Sequence, residues 1–475
     1  MMRKYTITAD DVMEALRLWH GGDTAVWPLA GLRLSLEATR NIETYSSLAE
    51  GGPAAQNRAV LSHGLSILRG ASPEGEELLR DRFEHRRDVL AVANRLNVSE
   101  SSIYYRQRQA INQLTDILNS LEEGAGIEWR ERMLNRLDLP SYGRLVGVDE
   151  ARHLLFEALA APTEHFIVSI DGLGGMGKTA LADRLTRDLI EAMHFDEIAW
   201  TTAKQTHLSS LGRLKVESGR PALTFPLLID KLADQFDLPV SAFNSQAQRQ
   251  KMTRQYLRER ACLVVVDNLE TVADYRSLLP SLRQWQNPSK FLITSRFRLL
   301  DEPDVFSFSQ QELSQVAAFE LIRQEAKRTG FHSLARADEE ELQPIYSAVG
   351  GNPLALKLIV GQLRFRSLPR VLSRFEQATG NGNRDELFEY IYREIWESLG
   401  DESKMALLAL TQAGATGFTF EHLSAVSGLT EPVLDECLER LILLSLVDLG
   451  GNLSERRYRL HRLTEVFLLK MFESV

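Results

Sequence analysis

The residues best suited to chemistry lie in the segment GLGGMGKT at positions 172–179. The segment has the form G-x-x-x-x-G-K-[ST], in which backbone N–H groups surround a phosphate and glycine permits the close approach. In this pattern Lys178 places its ammonium on the β- and γ-phosphates, and the Thr179 hydroxyl is a ligand for Mg²⁺. The sequence therefore predicts a nucleotide site, whose binding residues are Gly172, Gly174, Gly175, Met176, Gly177, Lys178, Thr179 and Ala180.

The elements on either side of this loop are the ones that its chemistry requires. The run FIVSID predicts a strand directly before the loop, and TALADRL predicts a helix directly after it. The N-terminus of that helix adds a favourable dipole for a bound anion. A glycine-rich turn without a nucleotide is the alternative interpretation, and this order of strand, loop and helix counts against it.

Further polar residues follow two other predicted strands. In LVVVDNLE, Asp267 could hold Mg²⁺, although an aspartate that only caps a turn would give the same pattern. Asn268 stands where many hydrolytic P-loop enzymes have a second acid, so we expect a slow ATPase at most. Glu270 is a second candidate catalytic residue, with a solvated loop carboxylate as an equally supported alternative. Arg296, after the strand KFLITS, could sense the γ-phosphate or pair with a neighbouring carboxylate.

Apolar patterns along the chain predict a multidomain α/β and α protein. The runs FIVSID, EIAWTT, CLVVVD and KFLITS alternate with helical patterns, which is typical of a parallel sheet covered by helices. We predict a P-loop parallel α/β domain over 143–308, preceded by an all-helical domain over 1–121 and a linker over 122–142 that opens with the glycine-containing break EEGAG. A helical domain is expected over 309–380, and a final domain over 381–475 ends in a candidate β-hairpin, LVDLGGNLSERRYRLHRL.

Composition limits the classes of partner. The 475 residues include 55 Lys and Arg against 65 Asp and Glu, a net charge of −10 that disfavours general coating of nucleic acid, so any DNA contact must come from a local surface. Two cysteines form neither a metal motif nor a disulfide framework, which indicates a reducing compartment. No leader segment is evident and no apolar run approaches the roughly 18 residues of a membrane span, so we expect a cytoplasmic protein without membrane contact.

The segment at about 80–118 resembles a helix-turn-helix of the sigma-factor region-four type. Asn97 suits a left-handed turn, and Ser99 is a natural N-cap for a second helix. Seven arginines and five acids give this stretch a local charge of +2, which favours DNA mildly. A protein-interaction adaptor is the alternative, because such folds also serve without DNA. The candidate DNA-binding residues, on the second helix, are Ser101, Ser102, Tyr105, Arg106 and Arg108.

The ordered motifs over about 145–475 resemble the NB-ARC branch of the signal-transducing P-loop ATPases with numerous domains (STAND). They are LVGVDEARHLL, the P-loop, FDEIAWTTA, LVVVDNLE, FLITSRFR, GGNPLALKLI and YRLHRLTEVFLL. The resemblance implies a winged-helix final domain, adenine contact by Pro353 and contact of His461 with the β-phosphate of ADP. Three features depart from the family: Val148 replaces an arginine, Asn268 replaces an acid, and the terminal M-H-D motif is L-H-R.

The same resemblance implies a switch. ADP holds a closed form, and exchange for ATP opens the chain, which then self-associates as a homo-oligomer and activates the N-terminal module in response to an unidentified trigger. That module is expected to regulate transcription by binding DNA; the alternative is an NLR-like defence protein whose N-terminal domain recruits an effector protein. A constitutive motor of the AAA+ type is disfavoured by Asn268 and by GGNPLAL. Many family members continue into sensor repeats, so we expect a truncated form or a sensor located elsewhere.

Overall fold

The computed structural model divides the chain into two compact units, which are described separately. The first consists of Met1–Asn135 with Leu189–Asp196, and the second of Arg136–Asp188 with Glu197–Val475. None of the helices within the described ranges is both long and apolar enough to cross a bilayer. The structure describes residues 6–22, 27–29, 31–40, 52–140, 142–172, 175–202, 223–238, 245–269, 272–295, 302–372, 396, 399–414, 416–443, 446–452, 455–460, 464–465, 468 and 471.

The first unit is helical, as predicted. Its apolar core joins Leu16, Leu61, Leu114 and Leu118 from three different helices. Gly64 permits the close approach, because a Cβ at this position would lie 2.8 Å from Leu114 Cδ1. The helices are α1 (Ala9–Arg17), α2 (Arg33–Arg40), α3 (Pro53–Ala71), α4 (Pro73–Leu79), a π-helical turn (Arg80–Glu84), α5 (Val89–Leu96) and α6 (Glu100–Asn135).

The turn between α5 and α6 has the predicted local geometry. Asn97 ends α5 with a φ of 52°, in the left-handed region. Ser99 accepts a hydrogen bond from the Ser102 backbone N–H at 3.2 Å and so caps α6. The two predicted helices and their tight turn are therefore present.

The predicted break at 122 is wrong, because α6 continues to Asn135 as one 36-residue helix. Gly124 and Gly126 each cost about 1 kcal/mol in a helix interior, but packing within the unit outweighs this cost. Trp129 is fully buried, and its indole N–H donates to the Asp196 carbonyl at 2.8 Å. The guanidinium of Arg33 lies 4.0 Å from the centre of the Trp129 ring. Of the predicted linker, only 136–142 lies beyond the helix.

Five parallel strands form the sheet of the second unit, in the order β2-β3-β4-β1-β5. The four predicted runs are confirmed as strands, and every residue of β1, β3 and β4 is buried. The strands are β1 (Ile167–Asp171), β2 (Glu197–Thr202), β3 (Cys262–Leu269), β4 (Lys290–Ser295) and β5 (Val305–Ser309). The helices of this region are α7 (Asp149–Ala160), α8 (Lys178–Glu191), α9 (Phe225–Gln235), α10 (Gln246–Glu259) and α11 (Val272–Trp285).

Strand β5 is absent from the sequence prediction. Its residues VFSFS alternate apolar and polar types, and it lies at the edge of the sheet beside β1, where an uninterrupted apolar run is not required.

Helices again dominate after β5, and the predicted hairpin is confirmed as the antiparallel pair β6 (Val447–Gly451) and β7 (Arg456–Leu460). One apolar cluster joins described residues from both small predicted domains, including Leu356 and Leu438. The division of this region at 380, like the winged-helix class, stays a prediction. The helices are α12 (Gln315–Arg328), α13 (His332–Ala335), α14 (Glu339–Val349), α15 (Pro353–Leu363), α16 (Asp401–Leu410), α17 (Phe420–Ser427) and α18 (Glu431–Leu443).

Candidate functional site

The glycine-rich loop connects the end of β1 to the start of α8. Gly175 and Gly177 have φ values of 80° and 85°, a region that side-chain-bearing residues rarely adopt. A Cβ on Gly175 would also lie 3.0 Å from both Asn352 Oδ1 and Leu354 Cβ. Glycine is therefore required at position 175 both for the backbone conformation and for contact with the α15 segment.

Lys178 and Thr179 begin α8 at the edge of the sheet where the parallel strands end. Lys178 is largely buried, and its Nζ donates to the Gly172 carbonyl at 2.8 Å. The Thr179 hydroxyl donates to Asp267 Oδ1 at 2.9 Å. The P-loop hydroxyl and the β3 carboxylate, 88 positions apart in the chain, are thus in direct contact.

Thr294 on β4 holds this carboxylate in place. Its hydroxyl donates to Asp267 Oδ1 at 2.5 Å and accepts a hydrogen bond from the Asn268 backbone N–H at 2.8 Å. Asn268 has a φ of 80°, and the β3–β4 register shifts between Val266 and Leu269. This irregularity lets β3 direct consecutive polar residues to the same edge.

The site offers the donor set that a magnesium nucleotide needs. A hydroxyl and a carboxylate oxygen lie together, which suits a cation that prefers oxygen ligands. The Asn268 Oδ1 atom is buried and has no hydrogen-bond partner among the described residues, so a bound polar group or water would satisfy it. An ammonium, a positive-φ glycine loop and a helix N-terminus supply the complementary phosphate site. These residues fit Mg²⁺ and a nucleotide.

A second buried carboxylate, Asp171, was not singled out from the sequence. It ends β1 immediately before the loop, and it accepts hydrogen bonds from Ser307 Oγ at 2.7 Å and Ser309 Oγ at 2.5 Å. These bonds join the start of the P-loop to the edge strand β5. The serines at alternate positions of VFSFS were the sequence feature that could have indicated a polar partner for Asp171 on this strand.

The GGNP segment before α15 is tied to the chain that follows β5. The Gly351 carbonyl accepts a hydrogen bond from Leu313 N at 2.9 Å, and Gly351 N donates to Glu312 Oε2 at 3.2 Å. A Cβ at Gly351 would lie 2.0 Å from the Leu313 carbonyl oxygen, so the backbones touch. Asn352 caps α15 by accepting from Leu354 N at 3.0 Å and Ala355 N at 3.2 Å.

A cavity of about 540 Å³ lies beside the P-loop within the second unit. The loop side is formed by Met176, Gly177 and Ala180, and Pro353 lies across the cavity on α15. Several lining residues were missed because no motif marks them. They are Tyr142, Arg144, Val146, Leu321, Gln324, Glu325, Arg328, Leu354 and Lys357, with Ile442, Val447 and Leu449 from the C-terminal region.

Tyr142 is the lining residue with the clearest electrostatic perturbation. Its hydroxyl donates to Asp183 Oδ2 at 2.5 Å. Burial, followed by the hydrogen bond and the negative charge of Asp183, raises the pKa of Tyr142 well above its ordinary value. Tyr142 is therefore a neutral hydrogen-bond donor throughout the physiological pH range.

The predicted site residues fall into three groups. Gly172, Gly175, Met176, Gly177, Lys178, Thr179, Ala180, Asp267 and Pro353 lie around the loop, the sheet edge and the cavity. Gly174, Glu270, Arg296 and His461 lie outside the described residues. Ser101, Ser102, Tyr105, Arg106 and Arg108 belong to the first unit.

Several side chains near the start of α6, in the first unit, are exposed to solvent. Tyr105 is 64% exposed and its neighbour Tyr104 is 56% exposed. Arg108 is exposed, and Arg106 forms a long ion pair of 3.5 Å with Glu74 on α4.

The parallel sheet and the loop between β1 and α8 define a P-loop α/β fold. Residues 148–330 match the family model described as the NB-ARC domain. Over these residues the chain is therefore similar to NB-ARC domains.

Similar proteins include plant disease resistance proteins, and the solved structures that align with the chain include an archaeal one. The chain is 26% identical to Disease resistance protein RPP8 of Arabidopsis thaliana, over 60% of this chain and 30% of that protein. It is 29% identical to Disease resistance protein RPP13 of the same plant, over 46% of this chain and 26% of that protein. The chain thus spans less than a third of these relatives. A STAND protein with a tetratricopeptide repeat sensor from Pyrococcus horikoshii aligns with a TM-score of 0.46 at 16% identity, covering 70% of this chain and 44% of that one.

Proposed function

We propose that the chain is a nucleotide-dependent signalling switch that binds ADP and ATP with Mg²⁺ in the P-loop site. The observation that carries the proposal is the contact between Thr179 and Asp267, which unites the hydroxyl and the carboxylate of a magnesium site. In this proposal Lys178 exchanges its bond to Gly172 for one to the phosphates, and Pro353 contacts the adenine.

Magnesium would neutralise phosphate charge when bound, while the chain orients the nucleotide. Asp267 receives hydrogen bonds from two hydroxyls, Thr179 and Thr294, which fix its position before the cation arrives. Asn268 cannot act as a base for an attacking water, so hydrolysis is slow and the nucleotide acts mainly as a bound signal.

Nucleotide exchange can shift the conformation only through contacts that differ between the two states. The P-loop touches the α15 segment directly: Met176 Sδ lies 3.8 Å from Asn352 Nδ2, and Gly175 lies against Leu354. A displacement of the loop by a γ-phosphate would therefore be transmitted to α15. In the closed form His461 would contact the β-phosphate of ADP; the ATP form opens and self-associates.

The test uses the full chain purified without added nucleotide. We expect ADP to be released on denaturation and identified by chromatography, and Lys178→Ala to remove it. Lys251→Ala, on the exposed face of α10, is the matched control and should retain it. Equal nucleotide content in the two variants would overturn the site assignment. An increase in particle mass when ATP replaces ADP, measured by light scattering, tests the switch separately.

We also propose that the first unit binds DNA through the exposed surface of α6. Exposed Tyr105 and Arg108 follow a capped helix start, as in a helix that enters a major groove. The alternative is an effector-recruiting adaptor in a defence protein; the names of the plant relatives concern disease resistance and say nothing of DNA. Binding of the full chain to duplex DNA that weakens in Arg108→Ala, but not in the control Arg69→Ala on α3, would favour the first. Absence of wild-type binding to duplex DNA at low salt would favour the adaptor.

A further inference from the structure

A basic cleft lies in the first unit, outside the nucleotide site. Its volume is about 520 Å³, and it opens broadly to solvent. The end of α1, the π-helical turn and the loop before α5 contribute its walls. The residues lining this cleft are Leu16, Arg17, His20, Gly21, Arg82, Phe83, Arg86, Arg87 and Asp88.

Some of these polar groups have structural roles. Arg82 donates to the Arg87 carbonyl at 2.6 Å and to Gln107 Oε1 at 3.3 Å. Arg87 pairs with the buried carboxylate of Asp81 at 3.0 Å. Asp88 accepts a hydrogen bond from Ala91 N at 2.6 Å and caps α5. These bonds hold the lining residues in place and leave the interior of the cleft open.

Arg17 and Arg86 are different, because within the described ranges neither has an ion-pair or hydrogen-bond partner. Both are exposed at the cleft. Arginine presents several donors in a planar fork that matches phosphate oxygens. Two uncommitted guanidinium groups in one concave surface of an otherwise acidic chain are suited to an anionic group.

The cleft lies beside the proposed DNA-binding helix pair. Asp88 lines it and is the N-cap of α5, while Arg82 reaches from its wall to Gln107, a buried residue of α6. The eight residues of α5 span about 12 Å at 1.5 Å per residue. Phosphates follow one DNA strand at about 3.4 Å of axial rise, so this length corresponds to about three to four successive phosphates of one strand.

We propose that this cleft binds a backbone phosphate of a nucleic acid, with Arg17 and Arg86 as its ligands. The inference rests on the proposed DNA binding by α6 and adds an anchoring site that the helix-turn-helix pattern does not include. Because a phosphate contact carries no sequence information, the cleft supplies affinity and orientation, whereas the α6 surface supplies sequence preference.

The experiment measures binding of the full chain to several unrelated duplexes across a series of salt concentrations. Arg17→Ala/Arg86→Ala should weaken binding about tenfold for every duplex, and should reduce the slope of log affinity against log salt by about one to two. The control Arg58→Ala/Arg69→Ala removes two positive charges from α3 and should leave both quantities close to wild type.

The outcomes separate this inference from the proposal beneath it. If Tyr105→Ala/Arg108→Ala weakens binding and the cleft variant does not, the cleft inference is wrong while DNA binding by α6 stands. If the wild-type chain binds no duplex at all, the DNA proposal itself fails. If the chain binds inorganic pyrophosphate through Arg17 and Arg86 but no duplex, the cleft recognises free phosphate groups and the nucleic-acid assignment is overturned.

Discussion

Arg459 on β7 forms an ion pair with Asp138, Nη1 to Oδ2, at 2.5 Å. The Asp138 carbonyl also accepts a hydrogen bond from Arg187 Nη2 at 2.6 Å. Arg187 in turn pairs with Asp183 on α8, which accepts the hydroxyl of Tyr142 at 2.5 Å. A single polar network therefore runs from the C-terminal hairpin to the helix that begins with the P-loop lysine and to a residue that lines the cavity.

We expect Arg459→Glu to release bound ADP faster than wild type. Charge repulsion from Asp138 would detach the hairpin from the segment that follows α6. An exposed ion pair contributes at most about 1 kcal/mol, so the expected acceleration is about two- to fivefold. Stopped-flow release of a fluorescent ADP analogue measures it.

Two further variants test whether the ion pair, and not the change in net charge, controls ADP release. The double variant Asp138→Arg/Arg459→Glu restores the pair with reversed charge and should return the release rate toward that of wild type. Arg456→Glu, on the same strand but exposed, introduces the same change of charge without breaking the pair. Equal acceleration in Arg456→Glu and Arg459→Glu would show that net charge, and not the pair, controls release.

Removal of magnesium should weaken ATP binding through Asp267. In wild type, chelation by EDTA is expected to lower ATP affinity, because the cation offsets phosphate charge. Asp267→Asn should weaken ATP binding and make it less sensitive to EDTA, since an amide is a poorer cation ligand. Titration calorimetry with and without EDTA distinguishes the two proteins, and an undiminished EDTA effect in Asp267→Asn would contradict its role as a magnesium ligand.

Gly351→Ala should be strongly destabilising. The new Cβ would lie 2.0 Å from the Leu313 carbonyl oxygen, so the GGNP segment would have to move away from the chain before α12. We expect a loss of about 2 kcal/mol or more, comparable with other overpacked sites. Gly70→Ala in α3 meets no atom within 4 Å and should be neutral or stabilising. Thermal unfolding of both variants tests the contrast.

Lys290 should make the free energy of unfolding increase with pH in the alkaline range. Its Nζ donates to the carbonyls of Ala158 and Glu164 at 3.1 and 2.6 Å, and also to that of Ala161. Burial lowers the pKa of Lys290 to about 8, whereas in the unfolded chain the ammonium keeps its proton to about pH 10.4. Between these values the unfolded chain binds more protons, so the contribution of Lys290 to folding becomes more favourable as pH rises.

Lys290→Met removes this contribution. The variant should be less stable at neutral pH, by about 1–3 kcal/mol, because buried carbonyls lose their donor. Denaturant unfolding between pH 7 and 10 should show wild type gaining stability relative to the variant over this range. A constant difference between the two proteins would show that Lys290 does not titrate in the folded state.

Local sequence patterns were sufficient to predict most helices and strands and the glycine-rich phosphate loop. Four strands of the sheet, the helix boundaries around Asn97 and the C-terminal hairpin follow from apolar runs, capping residues and turn residues, which act over a few positions. The glycine pattern before Lys178 likewise reflects a local backbone requirement. Asp267 could be proposed as a partner of Thr179 because the ends of parallel strands share one edge of the sheet.

The sequence by itself thus determined the nucleotide-binding class and most of the secondary structure, because these depend on short-range backbone preferences. Only the tertiary structure decided that Asp171 accepts from Ser307 and Ser309, and that α6 continues through two glycines. Only the tertiary structure brings Arg17 and Arg86 into the lining of one cleft. These relationships connect distant positions, and packing selects them by burying surface and satisfying polar groups that no local pattern identifies.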